Sequence, residues 1–514
     1  MYLFAAGINF FSPITVPATM VILFSALIAS YISLLFIPFA TFSLRAKKRP
    51  LKIVVAAFFP VFLAWALVVT NIPTTSVDAN IYHLPLSLLM NHSIWYPGIG
   101  RLSSHFGFPN GSSVLGSIFT SFGRIGLENI PNLSIWAIFG VGIFVYLLEE
   151  THDLTVSTIS ALLFVFTPRI FLESYNMGTD LPAACFLAFG LLALSGKHLD
   201  DACIFFALSA VFKPLGLLAA CLALVYVVIV YTSERGDSTL SRTKILISLV
   251  LLTMSFARVY VATGNPIYPA WPLNLAPWGI SEEIQRGLID GTGVHGAALT
   301  KSGLRNYSGV DRSFLGTLEF AKNFVFFPHV VKSEYWFSPF LLVCIIISLY
   351  RILNEKYYRD IRMNSIYSYL IVGVLSIAWF YCSPLFRFII GVLVFMNVRA
   401  LIIAIRGDTR SRSRIAIYCV SVGTLFLFLV NVGQHVKEDI IPLATGSEEK
   451  VESLMPWFRE ERKTEFTTKR TEDGFVYSMS NSNFCQRLIP PCISLRSLGH
   501  EEKLIKEFRK YNNS

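Results

Sequence analysis

Residues 204–231 read IFFALSAVFKPLGLLAACLALVYVVIVY. A single charge, Lys213, stands here between two apolar runs, and Pro214 follows it at once. An α-helix needs roughly 20 apolar residues to cross a hydrocarbon core. A proline ends or kinks a helix, because it lacks an N–H and clashes with the preceding turn. The stretch therefore predicts two membrane helices that meet at a lysine. A lysine at the centre of a membrane helix costs about 2.5–3.5 kcal/mol on insertion scales, so such residues tend to serve a function. The plain alternative is a lysine snorkelling from a helix end, which Pro214 favours.

The rest of the chain extends this pattern. Of its 514 residues 54% are hydrophobic and only 15% charged; a soluble domain carries nearer a quarter charged residues. Apolar runs predict about twelve spans, near 14–43, 51–70, 131–148, 155–171, 181–196, 201–213, 215–232, 245–262, 337–353, 364–382, 385–405 and 414–432. The fold class expected is an all-α polytopic membrane protein. The first long apolar run exceeds a signal-peptide core and lacks a basic flank, so no cleavable signal is expected.

Charge sets the orientation. The chain has a net charge of +10, but the segment from Gly433 onward carries thirteen basic and thirteen acidic residues. The excess therefore lies between the helices. RAKKRP at 45–50, SERGDSTLSRTK at 233–244, the stretch Arg351 to Arg362 and RGDTRSRSR at 406–414 hold most of it. With twelve spans all four fall on one side, which the positive-inside rule makes cytoplasmic. The outer face then receives loops 71–130, 172–180 and 263–335, together with the polar region 433–514. Within the first loop, GSSVLGSIFTSFG is expected as a helix lying on the membrane surface. No aromatic and basic block suggests nucleic-acid binding. No phosphate-binding glycine loop, dinucleotide fingerprint or nucleophile elbow appears.

Several outer residues can carry chemistry. Asp78, in NIPTTSVDANIYHLP, follows a helix mouth, where partial desolvation tunes a carboxylate for base work; Tyr82 and His83 lie within about a turn. An ordinary solvated aspartate is the alternative. Asp180, in ESYNMGTDLPAACF, opens a helix, and a plain helix cap is its alternative; Glu173 is a second candidate acid. Arg387, in YCSPLFRFIIGVL, and the deeper Arg258 can fork onto a phosphate or anchor at headgroups. Asn265 sits in TGNPIYPAWPL, where Asn-Pro and Tyr-Pro force extended or turned backbone; a rigid helix exit explains it equally. His83, His92 and His105 are too widely spaced to read as metal ligands, and no metal site is expected. Six of the eight cysteines lie in or beside apolar runs; only Cys485 and Cys492 sit in polar sequence. Acids and buried cations at one membrane surface suit an amphiphilic phosphate substrate.

At this point the chain resembles the GT-C superfamily of integral-membrane glycosyltransferases over about residues 50–405. VDANIYHLP is similar to its first-loop acidic motif, and TDLPAACFLAFGLLAL to its second acidic element opening a helix. FALSAVFKPLGLL, TGNPIYP and SPLFRFIIG resemble, in order, a small-residue-plus-lysine segment, a post-helix motif and a late helix supplying an arginine. The tail is similar to that of an uncharacterised bacterial membrane family, with Gly474 to Tyr477 followed by Cys485 and Cys492. The resemblance implies a GT-C-like bundle over 1–432 with a small extracytoplasmic region at 433–514. It implies sugar transfer from a polyprenyl-phosphate-linked donor to a glycan, lipid or protein acceptor, with inversion, on the extracytoplasmic face of a bacterial inner or plasma membrane. Asp78 would be the base, Asp180 would orient acceptor or sugar, and Arg387 and Lys213 would hold phosphate. The first loop lacks paired acids, so no cofactor is required, and a divalent metal is left open. An outward tail makes a Cys485–Cys492 disulfide reasonable; free thiols in a cytosolic tail are the alternative. A polysaccharide polymerase or ligase using lipid-linked sugars, and a transporter or flippase, are the competing functions.

Overall fold

The structure, a computed structural model, describes residues 2–22, 60, 62–72, 74, 76, 79–92, 95, 97–101, 104–123, 126–196, 198–233, 241–268, 273–280, 282, 285, 363–382, 386–406, 412–441, 466–470, 476–480 and 492–494. Up to Ile441 the described chain is predominantly helical. In chain order the helices are α1 (Tyr2–Asn9), α2 (Leu84–His92), α3 (Gly111–Thr120), α4 (Ile130–Thr151), α5 (Leu154–Val165), α6 (Pro168–Ser174) and α7 (Asp180–Ser195). They continue as α8 (Leu199–Phe212), α9 (Pro214–Ser233), α10 (Arg242–Thr263), α11 (Met363–Cys382), α12 (Phe386–Arg406) and α13 (Arg412–His435).

The helix boundaries follow local chemistry. Pro131 sits in the first turn of α4, where a missing N–H costs nothing. The helix ends on His152 in a left-handed conformation, φ 55°. Asp153 then caps α5 by accepting from Val156 N at 3.0 Å, so the chain reverses within two residues. Gly264, φ 72°, closes α10, a conformation glycine adopts without steric cost. Pro214 begins α9 directly after Lys213.

Helix α7 is the axis of the bundle. All its residues except Phe186 are buried, as expected of a helix that is apolar all round. It packs against α4, α6, α8, α9, α11 and α12. Glycines permit the closest approaches. A Cβ at Gly391 would lie 2.5 Å from Ala184 O, and one at Gly216 would collide with the backbone of Ser209 and Ala210.

The bundle has two polar ends. At one end, Lys244 at the start of α10 joins Asp200 at 3.0 Å and Asp201 at 2.6 Å, both in the first turn of α8. At the other end lie the starts of α3 and α7 and the ends of α8 and α10. There Ser209 Oγ donates to Ala183 O, and Gly111 abuts Val211 and Phe212. Described parts of loops 71–130 and 172–180 and the exit from α10 meet at this second end.

Three expectations need correction. Two helices, Leu127–Thr151 with its leading 3₁₀ turn and Arg242–Thr263, are long and apolar enough to cross a membrane. A third span results if α5 and α6 count as one, and the expected twelve are not supported among the described residues. Helix α7 has 16 residues, about 24 Å at 1.5 Å per residue, so apolar content outruns helix length. The span expected at 155–171 is broken: α5 and α6 meet at 65°. Pro168 drives Thr167 to φ −54°, ψ 126°, the extended backbone imposed before proline. Finally, GSSVLGSIFT is not a surface helix. Eight of its ten residues are buried, Gly111, Ser112, Ser113 and Gly116 among them, because small side chains admit neighbours closely.

The tail adds strand to an otherwise helical chain, which the all-α expectation did not include. β1 (Phe466–Arg470) and β2 (Val476–Ser480) pair antiparallel, and β3 (Cys492–Ser494) joins β2 in parallel. Cys492 is in register with Ser478; Cys485 lies outside the described residues. The spans expected at 337–353, most of 14–43 and half of 51–70 also lie outside them, as does most of loop 263–335.

The glycine contacts give a paired test. Gly216→Ala should destabilise the protein by about 1–3 kcal/mol, since backbone cannot yield to a new methyl group. Gly373→Ala, where a Cβ meets nothing within 4 Å, should stabilise α11 by roughly 0.5–1 kcal/mol. Thermal unfolding of both variants in detergent checks the contrast, and equal shifts would contradict the packing.

Candidate functional site

Four charged side chains gather at the second end of the bundle. Arg169 lies in the first turn of α6, and Glu173 follows one turn later at i+4. Their side chains pair at 2.5 Å. Asp180 is the first residue of α7, next to the cap residue Thr179. Its Oδ2 lies 3.9 Å from Arg169 Nη2, and its Oδ1 lies 2.6 Å from Lys213 Nζ. The order Glu173, Arg169, Asp180, Lys213 alternates in sign and sums to zero. Each member is at least three-quarters shielded, with Lys213 the most exposed at 21%. Such pairing is what makes charge tolerable in apolar surroundings.

Helix breaks put them there. Arg169 stands just beyond the α5–α6 bend, and Lys213 occupies the extended residue between α8 and α9, φ −145°, ψ 144°. Both cations therefore leave a helix axis where the chain is interrupted. The helix-end reading of Lys213 is correct as to place, but its ammonium is matched to a carboxylate. Asp180 likewise spends its oxygens on cations.

A polar lattice ties this quartet to the first loop. Asn132 Nδ2 donates to Asn176 O at 2.7 Å and Gly178 O at 3.0 Å, and approaches Glu173 O at 3.3 Å. Ser112 Oγ donates to Gly178 O. Asn176 Oδ1 accepts from Ser76 N at 2.8 Å, and Met177 N donates to Thr74 Oγ1 at 3.0 Å. Glu128 accepts from Gly126 N at 2.7 Å and from Thr74 N at 3.4 Å. Ala79 packs with Met177 and Leu84. Residues on both sides of position 78 are thus fastened to the turn that precedes Asp180. Asp78 itself lies outside the described residues.

The remaining candidates fall into distinct groups. His83 is buried, with Nδ1 3.2 Å from Ser113 Oγ. Tyr82 stacks on His105 at 4.8 Å, and an aromatic series continues through Phe108 to Tyr268. Arg258 is held apart from the quartet's ion pairs. Its guanidinium stacks 3.8 Å from the Trp95 ring, donates to Ala6 O and contacts Met90 Sδ, while Trp95 Nε1 returns a bond to Arg258 O. These contacts clasp α1, α2 and α10. Asn265 is fully buried: its side chain accepts from Ile267 N and donates to Gln285 Oε1 at 2.8 Å. These bonds fix Asn265 at the exit from α10. Arg387 is the second residue of α12 by backbone; its side chain lies outside the described residues.

Sequence reasoning missed Arg169, Asn132 and Asn176. Arg169 had a legible signal: Thr-Pro-Arg followed by Glu four residues on, inside a run otherwise apolar enough to span. Uncharged Asn132 and Asn176 carried none. Among the described residues no cluster of three His, Cys, Asp or Glu side chains is placed to hold a metal ion.

The Asp180–Lys213 pair should behave as a coupled unit. Asp180→Asn and Lys213→Gln should each destabilise the fold, because each strands the partner's charge. The double variant should recover part of the loss, with a coupling of about 0.5–3 kcal/mol. A double-mutant cycle on thermal unfolding measures it, and strict additivity would deny the pair an energetic role.

No curated protein and no solved structure matches the chain. A family match does exist. It covers residues 1–394, taking in the whole quartet, the lattice around Asn132 and Asn176, and the first residues of α12. With well over half its length matched, the chain belongs to the family described as a domain of unknown function (DUF8201).

Proposed function

We propose that the protein is a multi-pass membrane glycosyltransferase that moves a sugar from a polyprenyl-phosphate-linked donor to a glycan, lipid or protein acceptor. The observation that carries this reading is the fastening of the segment flanking Asp78 to the Glu173–Arg169–Asp180–Lys213 quartet at one end of the bundle. The opposite end carries Lys244 and adjoins the basic segment 233–244, so the positive-inside rule makes the quartet end extracytoplasmic.

The roles follow from the pairing. Asp180 and Glu173 already balance cations, so they position Lys213 and Arg169 and are not bases. Asp78 is the base in this reading. It takes the proton of the acceptor hydroxyl as that oxygen bonds to the sugar's anomeric carbon. The carbon–oxygen bond to the lipid phosphate breaks, and the phosphate leaves with the electron pair. Lys213, Arg169 and Arg387 stabilise the growing negative charge, which preorganised cations do best where water is scarce. His83 and Tyr82 line the acceptor side.

A transporter or flippase is favoured by one observation: the 65° bend between α5 and α6 and the break at Lys213, since interrupted helices with paired charges occur in transporters. Reconstitution separates the two. Full-length protein in liposomes containing a polyprenyl-phosphate sugar and a membrane acceptor fraction should yield glycosidic product, identified by mass. Asp78→Asn should lower that yield by about 10²–10⁴-fold with unchanged thermal unfolding. Full activity of Asp78→Asn would remove the base assignment, and sugar-lipid movement without product would establish transport.

A further inference from the structure

We propose that Asn132 is the positioning residue of the quartet: by holding the turn from Glu173 to Gly178 closed, it sets how Asp180 is shared between Lys213 and Arg169. The inference deepens the transferase reading and rests on it for its catalytic consequence only.

Asn132 stands in the first turn of α4 and is buried. Three carbonyl oxygens surround its Nδ2, those of Glu173, Asn176 and Gly178, at 3.3, 2.7 and 3.0 Å. A carboxamide nitrogen has two N–H donors and accepts nothing, so this end of the side chain is fixed by its partners. One turn on, Trp136 Nε1 donates to Val165 O at 2.9 Å. Residues four apart share a helix face. That face of α4 therefore meets the last turn of α5 through Trp136 and the last turn of α6 through Asn132. The final carbonyls of a helix lack partners within it. Helix α4 supplies donors at the ends of both halves of the bent pair.

The turn that Asn132 closes joins the two acids of the quartet. Glu173 precedes it and Asp180 follows it. Gly178 shows how tightly it is folded: a Cβ there would lie 3.1 Å from Glu173 Oε2 and 4.0 Å from Asn132 Nδ2. Both acids address one nitrogen, Arg169 Nη2, Glu173 at 2.5 Å and Asp180 at 3.9 Å. Asp180 is far closer to Lys213, at 2.6 Å. Attraction between unlike charges grows as they approach, so a slackened turn lets Asp180 move onto Arg169 and off Lys213. Asn132 acts on these charges through the backbone of the turn. On the transferase reading, Lys213 would then stand out of place for the departing phosphate, and a misplacement of about 1 Å costs up to roughly 10²-fold in rate.

The test labels amines in the full-length protein in detergent. Acylation needs the neutral amine, which a paired carboxylate disfavours. Asn132→Leu keeps the side-chain volume and removes the donors. It should raise the rate at which a small N-hydroxysuccinimide ester acylates Lys213, read by peptide mass, by about three- to tenfold. Lys244, paired with Asp200 and Asp201 at the other end, is the internal control and should label at its wild-type rate. Trp136→Phe removes a buried bond from the same face of α4 without touching the turn. It should lower thermal stability and leave Lys213 labelling unchanged. Ser112→Ala, which removes the other side-chain donor to Gly178 O, should give a smaller rise and decides the question if Asn132→Leu does not fold. In the reconstituted transfer assay, Asn132→Leu should lower kcat by about 10–10²-fold with a smaller change in KM for the lipid-linked sugar. Unchanged Lys213 labelling in both the Asn132 and Ser112 variants would overturn the positioning role, as would an equal rise in Trp136→Phe. Raised labelling beside an unchanged kcat would overturn the catalytic consequence. A wild type that makes no product counts against the transferase reading, and the labelling ratio still decides the positioning role.

Discussion

The ion pair between Asp180 and Lys213 is the constraint around which the described bundle is arranged. Neither charge is tolerable alone in apolar surroundings, and each stands where a helix begins or ends. To meet, the start of α7 must lie beside the break between α8 and α9. Ser209 then reaches Ala183 O, and Gly216 must be glycine so that α9 can leave at that point. Arg169 extends the pair through the α5–α6 bend and brings Glu173 with it. Electrostatics thus decides which helix ends are neighbours, and dispersion between apolar faces fills the space behind them.

Arg258 solves the same problem by another route. Its charge is spread over the face of Trp95 and a carbonyl oxygen, with no acid in its shell among the described residues. The result is a clasp between the amino-terminal helix and α10, well suited to holding elements together and poorly suited to exchanging partners. The quartet has the opposite character. Its members alternate in sign, and Lys213 keeps part of its surface open.

Legibility in the sequence tracked charge and period. Lys213 stood out because it interrupts an apolar run and Asp180 because it opens one, and helices α4 and α8 to α13 fell within a few residues of their expected limits. The bend at Thr167–Pro168 was hidden because hydropathy sums over a window and is blind to one extended residue. Asn132 and Asn176 were invisible, since an asparagine's meaning depends on carbonyls brought near by folding. Gly111, Ser112 and Gly116 were read as a surface pattern when their smallness serves inward packing. In the tail, Val476–Ser480 pairs antiparallel with Phe466–Arg470, and a polar composition concealed that strand signal. Among the described residues fewer helices reach spanning length for a further reason: α7 is enclosed by protein on nearly every side, so its length answers to neighbouring helices as much as to a bilayer.

The hairpin of α7 and α8 carries one more consequence, for biogenesis. Its two open ends hold an acid and a base that cancel only when both helices have formed side by side. Translated singly, α7 would present an unbalanced carboxylate to the translocon, and α8 an unbalanced ammonium. In the proposed orientation both charges must be carried across the bilayer. If the two helices insert as the proposed function requires, they enter most cheaply as a preassembled, electrically neutral unit, with Asp200 and Asp201 at the trailing turn until Lys244 arrives with α10.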